Sequence, residues 1–144
     1  MMAINQANIS IQSGDLPIGA ALVYSGEVIL GRNTQKSEHR IVAHAELNVI
    51  RQAWQWKGNK NMAMYSTLEP CTMCSQALLD FGVKNVFYAV EDPIAGGSQL
   101  GTGMIFTKLE HIDYLNMVLT WLKAHASQYP EHFEYFSKKY KIDA

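Results

Sequence analysis

Apolar and polar residues follow two rhythms along this chain, and the changes of rhythm predict its elements. Residues 2–13 set Ile4, Ala7, Ile9 and Ile11 among Asn, Gln and Ser, which predicts an amphipathic helix closed by Gly14. Ile18–Tyr24 is continuously apolar, as a central strand is, and Glu27–Arg32 follows it across Ser25-Gly26, a two-residue hairpin turn. A helix is predicted over His44–Trp56, with Leu47, Val49, Ile50 and Ala53 facing the sheet and Gly58-Asn59 past its end. Met62–Thr67 predicts a strand, Cys71–Phe81 a helix closed by Gly82, and Val83–Val90 a further strand. Ile112–Ala126 carries Leu115, Val118, Leu119 and Leu122 at helical spacing, and Pro130 separates it from a last helix over 131–140. Alternating helices and strands sum to an α/β sandwich.

Composition narrows this picture. With 144 residues and 48% hydrophobic content, the chain is expected to form one domain, 1–144, around a substantial core. Neither an N-terminal signal nor a long apolar run is evident, so a cytoplasmic protein without a membrane span is expected. Only two cysteines occur, too few for a disulfide framework. The formal net charge is −1, and the first helix has no Lys or Arg, which argues against a phosphate-gripping nucleic-acid surface. Lys138, Lys139 and Lys141 form the one basic cluster, which reads as a solvated helix end. Gly96, Gly97, Gly101 and Gly103 lie in the 93–103 segment without the setting of a phosphate-binding loop. That segment reads either as a mobile loop or as one facing a ligand.

The candidate chemistry lies in His44-Ala45-Glu46 and Pro70-Cys71-Thr72-Met73-Cys74. Cys71 and Cys74, three apart at a helix start, project from one face of its first turn, where the amide ends favour thiolates. With His44 they fill three corners of a tetrahedral Zn²⁺ and leave the fourth to water, the arrangement of a catalytic site. Glu46, two residues from His44, faces the fourth position only if the helix begins at that junction, where it serves as proton carrier. Two other readings stand beside this one. A CxxC pair also serves redox chemistry, although that reading wants an earlier strand-to-helix setting. A structural zinc needs a fourth ligand, for which His39, His111, His125 and His132 are the candidates.

The spacing H-x-E…P-C-x-x-C is that of zinc nucleobase deaminases. From Asp15 to about Asp92 the chain resembles the cytosine/guanine deaminase and tRNA adenosine deaminase branch of the cytidine deaminase superfamily. The resemblance rests on Leu16-Pro17-Ile18-Gly19-Ala20-Ala21-Leu22-Val23, Gly31-Arg32-Asn33, Ala43-His44-Ala45-Glu46 and Ser66-Thr67-Leu68-Glu69-Pro70-Cys71-Thr72-Met73-Cys74. It implies a three-layer α/β/α sandwich around a mixed sheet of about five strands, for which Met104–Thr107 is the one candidate fifth strand. It also implies Zn²⁺ held by His44, Cys71 and Cys74, with Glu46 as catalytic acid and base. By the same resemblance Asn33 hydrogen-bonds the base, the Ala45 amide binds a ring acceptor, and the Glu69 carbonyl meets the departing amine. The implied reaction replaces an exocyclic amine of a nucleobase or nucleoside with oxygen and releases ammonia. A tRNA adenosine substrate is the alternative, and a homodimer is expected.

Two segments bear on the substrate. Relatives tend to carry Asp-Pro-Thr before Ala-His-Ala-Glu, where this chain has Arg40-Ile41-Val42. Tyr129-Pro130-Glu131-His132-Phe133-Glu134-Tyr135-Phe136 resembles the aromatic, acidic tail that closes the pocket of free-base cytosine deaminases, and 136–140 resembles the end of guanine deaminases. Such a tail either stacks an aromatic on the base and offers Glu134 to a ring N–H, or packs Phe133 and Phe136 into the core. Small bases or nucleosides are favoured over RNA. Trp54, Trp56 and Trp121 are expected in the core or in a subunit contact.

Overall fold

Ser25 and Gly26 both take positive φ, 51° and 80°, the backbone of a type I′ turn, and so fold the first two strands into a tight hairpin. The computed structural model describes residues 1–59, 61–100 and 103–140. Five strands are present: β1 (Gly19–Tyr24), β2 (Glu27–Arg32), β3 (Ala63–Leu68), β4 (Asn85–Val90) and β5 (Ile105–Lys108). Their order is β2-β1-β3-β4-β5. β1 runs antiparallel to β2 and β3, whereas β3, β4 and β5 are mutually parallel, so the sheet is mixed. The fifth strand lies one residue beyond the expected Met104–Thr107.

Helices cover both faces. On one side α2 (Ala45–Gln52) and α3 (Thr72–Phe81) join the sheet in a core built from Leu22, Val49, Met64, Leu78, Phe81 and Val86. On the other, α1 (Met2–Gln12), α4 (Ile112–Ala124) and α5 (Pro130–Tyr140) form a second cluster around Ala7, Tyr114, Val118, Leu122 and Phe136. Each large side chain fully buried in these clusters contributes roughly 1.5–3 kcal/mol. The result is the expected three-layer α/β/α sandwich. Two glycines show how closely the layers approach: a Cβ at Gly19 would strike the Ala3 carbonyl and lie 2.7 Å from the Ala7 amide, while one at Gly31 would lie 2.5 Å from Val49 Cγ2.

Several elements depart from expectation. The buried face of α1 is Ala3, Ala7 and Ser10, and Ile9 is exposed, because small residues let the helix sit on Gly19. α2 begins at Ala45 and ends at Gln52, with Trp54–Trp56 forming a separate 3₁₀ turn. Val49 and Ala53 are buried and Ile50 packs on the core, but Leu47 is only half-buried and lies outside both clusters. Trp56 is buried against Tyr24, while Trp54 is largely exposed, its ring 6.3 Å from that of Phe81. The predicted Gly82 stop is observed as a left-handed C-cap at φ 114°.

Candidate metal centre and active site

The site lies beyond the C-terminal ends of β3 and β4, where the chain passes from sheet to helix. Two helices start there. His44 is the N-cap of α2 (φ −71°, ψ 152°), and Cys71 is the N-cap of α3 (φ −68°, ψ 173°), its sulfur accepting from the Cys74 amide at 3.5 Å. Cys71 thus precedes the helix that it was expected to open. The Nδ1 of His44 lies 3.8 Å from Cys71 Sγ, and one donor atom from each of His44, Cys71 and Cys74 lies within 4.8 Å of the others. No other group of three or more such side chains is gathered among the described residues.

Neighbouring groups hold His44 in place. Asn48, one turn into α2, donates to the Arg32 carbonyl at 2.8 Å and to Thr34 Oγ1 at 3.0 Å, which ties the helix start to the end of β2. Thr34 N donates to the Ala43 carbonyl at 3.0 Å, and Thr34 Oγ1 also pairs with Glu38. Beneath this loop Asp15 is buried and accepts from the amides of Lys36 and Ser37 and from the hydroxyls of Ser13 and Ser37. Burial alone would raise the Asp15 carboxyl, but these donors outweigh it and hold the group below its usual value.

The side chains of His44, Cys71 and Cys74 divide their proton affinities unevenly. The Cys71 thiol is lowered to about 4, first by the hydrogen bond with Cys74, and the His44 contact acts in the same direction. His44 is pushed up, chiefly by Cys71, and Cys74 is pushed up by Cys71 and by burial. Two sulfurs and an imidazole nitrogen are the donor set of a zinc site with three protein ligands, and they leave one coordination position free. Glu46, in the first turn of α2, is buried, and burial raises its carboxyl to about 7. A carboxyl poised there both takes and gives protons near neutral pH.

A cavity of about 240 Å³ opens above these groups, with His44, Glu46 and Cys71 in its wall. Glu69 lines it, but its carboxylate accepts from the amides of Asp92 (3.0 Å) and Ser98 (3.1 Å) and so pins the following loop. That loop is strapped down rather than mobile over its described part: Gly97 N donates to the Pro70 carbonyl, Thr72 N donates to the Ala95 carbonyl, and Cys71 bridges Gly96. Ala95 reaches the cavity wall. Asn33 is fully buried and is not on the wall; its amide donates to Gln35 Oε1 at 2.7 Å, and Gln35 lines the cavity. Ala45 is buried in the core, while its amide belongs to the first turn of α2, where helix geometry leaves N–H groups without intrahelical partners.

The far wall comes from α4, α5 and the turn between them, through Tyr114, Val118, Trp121, Tyr129, His132 and Phe136. Sequence reasoning did not assign Asp92, Tyr114 or His132 to this wall. For His132 the signal was its place in the 129–136 tail, and for Asp92 its position just past the end of a parallel strand. Glu134 is corrected here: its side chain is 69% exposed and pairs with Lys138 one turn away, because Phe136 occupies the inward face of α5. Phe133 and Phe136 pack into the second cluster. Lys139 bonds Glu91, so neither Lys138 nor Lys139 is a free cation, and Lys141 lies outside the described residues. In the Arg40-Ile41-Val42 segment, Ile41 is 82% exposed.

A mixed five-stranded sheet with an open metal site and a buried carboxyl at its strand ends defines a metal-dependent hydrolase. The chain belongs to the cytidine and deoxycytidylate deaminase zinc-binding family, whose zinc-binding region matches residues 1–90. It is 37% identical over 116 residues to the tRNA-specific adenosine deaminase of Bacillus subtilis (strain 168), covering 78% of this chain and 71% of that protein. It is 31% identical over 103 residues to the cytosine deaminase of Candida albicans, covering 69% of each. A solved structure from work on A-to-I editing by tRNA:A34 deaminases superposes with TM-score 0.67 and 28% identity, over 75% of this chain and 94% of that one. Guanine deaminase from Bacillus subtilis shares the fold, with TM-score 0.58 and 24% identity over 84% and 89% of the two chains. The protein is therefore a hydrolytic deaminase acting on a C–N bond, with zinc as its metal. No helix among the described residues is long and apolar enough to cross a membrane.

Proposed function

We propose that this enzyme deaminates a small amino-bearing nucleobase or nucleoside to the oxo product and ammonia. The observation that carries this reading is a cavity of about 240 Å³ with buried Glu46 beside the metal ligands and no Lys or Arg among its described lining residues. Drug-sized pockets run to roughly 300–1,000 Å³, so the space suits a single planar heterocycle. Glu46, Glu69 and Asp92 all face it, which disfavours a phosphate.

Bound zinc supplies the Lewis acidity that makes water a nucleophile near neutral pH. Glu46 accepts one water proton on its carboxylate and delivers it to a ring nitrogen, then takes the remaining proton from the hydroxyl of the adduct and passes it to the amine as the C–N bond breaks. Its carboxyl at about 7 matches both transfers, each worth roughly 10²–10⁴-fold. The Ala45 amide binds a ring acceptor, and the Glu69 carbonyl receives the leaving amine. Asn33 contributes through Gln35, whose amide it orients at the wall. Residues 1–144 act as one catalytic unit, cytoplasmic in keeping with its two free cysteines, and two copies form a homodimer. A sedimentation mass of 16.2 kDa, that of one chain, refutes the dimer.

A second reading, deamination of adenosine in tRNA, is favoured by the similarity to the Bacillus subtilis tRNA-specific enzyme. The deciding experiment measures ammonia release by zinc-loaded protein from cytosine, guanine and adenine, their nucleosides and nucleotides, and an anticodon stem-loop, with Glu46→Ala as blank. Release from a small molecule supports the first reading. Release from the stem-loop alone establishes the second, and activity that survives Glu46→Gln removes the mechanism.

A further inference from the structure

Most polar groups on the cavity wall are committed to the protein itself. Gln35 accepts from Asn33 and donates to the Ile41 carbonyl at 2.9 Å; Glu69 accepts two amides; the Tyr114 hydroxyl donates to the Pro17 carbonyl at 2.6 Å. His132 differs. Its Nε2 lies 2.9 Å from Asp92 Oδ1, which also accepts from the amides of Ile94 and Ala95 at 3.0 Å each. A carboxylate only accepts, so Nε2 carries the hydrogen, and the tautomer that this bond selects presents a lone pair at Nδ1. Nδ1 has no hydrogen-bond partner among the described residues. The other uncommitted groups on this wall discriminate less: Trp121 Nε1 only donates, and the Tyr129 hydroxyl does both.

The ring is held firmly. Tyr129 meets it edge-on at 6.1 Å and 79°, and α5 is clamped to the sheet by Glu91, which accepts from Lys108, Tyr135, Lys139 and Tyr140. Around it the wall is apolar, with Val118, Trp121, Leu122 and Phe136. A sugar pressed against that surface finds only Trp121 Nε1 and the Tyr129 hydroxyl for its several hydroxyls, at a cost. A ring N–H finds an acceptor. We infer that His132, held by Asp92, reads the ring N–H of a free base at the nitrogen that bears the sugar in a nucleoside, and so selects free bases over nucleosides. This rests on the small-substrate deaminase reading above and narrows it. His132 is the substrate-touching residue, and Asp92 is a positioning residue.

The test is calorimetric binding of cytosine, guanine and adenine and of their nucleosides to zinc-loaded Glu46→Gln protein, with and without His132→Phe. Phe fills the ring's space but accepts no hydrogen bond. We expect His132→Phe to weaken free-base binding about 10–100-fold and leave nucleoside binding unchanged, as the loss of one well-placed acceptor implies. His132→Gln, which restores an acceptor oxygen, should recover most of the difference. Asp92→Asn should weaken free-base binding in the same sense, and in the otherwise unaltered active enzyme it should raise KM for free bases more than it lowers kcat. Thermal melts of each variant report folding independently. Free-base affinity untouched by His132→Phe in a folded protein, an equal loss for bases and nucleosides, or tighter binding of nucleosides by the parent protein overturns the inference. Failure of Glu46-dependent ammonia release across the whole small-molecule panel removes the underlying reading instead, while the binding comparison still decides the role of His132.

Discussion

Asp15 should be the most consequential residue outside the metal site, because it anchors the loop that delivers His44. Its carboxylate is 1% exposed and receives hydrogen bonds of 2.6–2.9 Å from two hydroxyls and two backbone amides, with Arg32 at 3.5 Å. Asp15→Ala leaves the Lys36 and Ser37 amides without their acceptor, at about 1–3 kcal/mol each, for a loss of about 4 kcal/mol. Asp15→Asn keeps one oxygen for the amides, and the serine hydroxyls rotate to accept from its NH₂, so only charge assistance is lost, about 2 kcal/mol. At roughly 3 °C per kcal/mol for a chain of this length, the melting temperature should fall by about 12 °C and about 6 °C. The same network fixes the approach to His44, so zinc content after desalting should fall in the same order. The Asp15 carboxyl is held below its ordinary value, so its ionised form stabilises the fold above the unfolded-state pKa near 3.8. That contribution disappears as pH falls through the lower folded value, and the gap between parent and Asp15→Asn should close below about pH 4. The assay is thermal unfolding by circular dichroism from pH 3 to 8, with zinc measured by atomic absorption. An Asp15→Ala protein that melts within 2 °C of the parent at pH 7 refutes the reasoning.

Glu91 offers a second pH test: burial opposes its ionisation, but hydrogen bonds from Lys139, Lys108 and Tyr135 win and hold it at about 2. Stability from this group should be complete above pH 4.5 and drain away between there and pH 2, and Glu91→Gln should flatten that part of the acid melting profile. Gly31→Ala drives a methyl against Val49 and the Ala45 carbonyl, so it should cost about 1–3 kcal/mol and lower zinc content by displacing α2; an unchanged melting temperature rules out the close approach. Removal of zinc by a chelator should abolish ammonia release and lower the melting temperature in proportion to the zinc withdrawn, and readdition should restore both. A melting temperature indifferent to zinc would falsify the placement of the ion between α2 and α3.

What could be read from the sequence was whatever the chain writes locally. The hairpin at Ser25-Gly26, the stop at Gly82 and the shared turn of Cys71 and Cys74 each depend on residues within a few positions of one another, and all three stand. The face of α1 was not legible, because Ala3 and Ala7 are buried by Gly19 on a strand that local periodicity does not see. The end of α2 slipped for a related reason: the Trp54–Trp56 turn continues the helical pattern without continuing the helix. His132 and Asp92 are 40 residues apart and meet only because α5 folds back over the end of β4. In the sequence His132 reads as a spare zinc ligand and as part of a pocket-closing tail, but nothing there pairs it with Asp92.

The His44–Cys71 approach has a further meaning for the chain as a polymer. These two candidate ligands are 27 residues apart and sit at the starts of helices launched from different strands, so an ion bound to both would behave as a removable cross-link closing that segment. A cross-link of this kind acts on the unfolded ensemble, where the Cys71-Cys74 pair alone still offers two sulfurs but His44 must be brought in from a distance, at a loop-closure cost. Backbone cleavage inside the closed segment, near the turn at Gly58-Asn59, would then leave two fragments joined by zinc as well as by the sheet. Such a nicked molecule should hold together in buffer and come apart when the metal is stripped under mildly destabilising conditions.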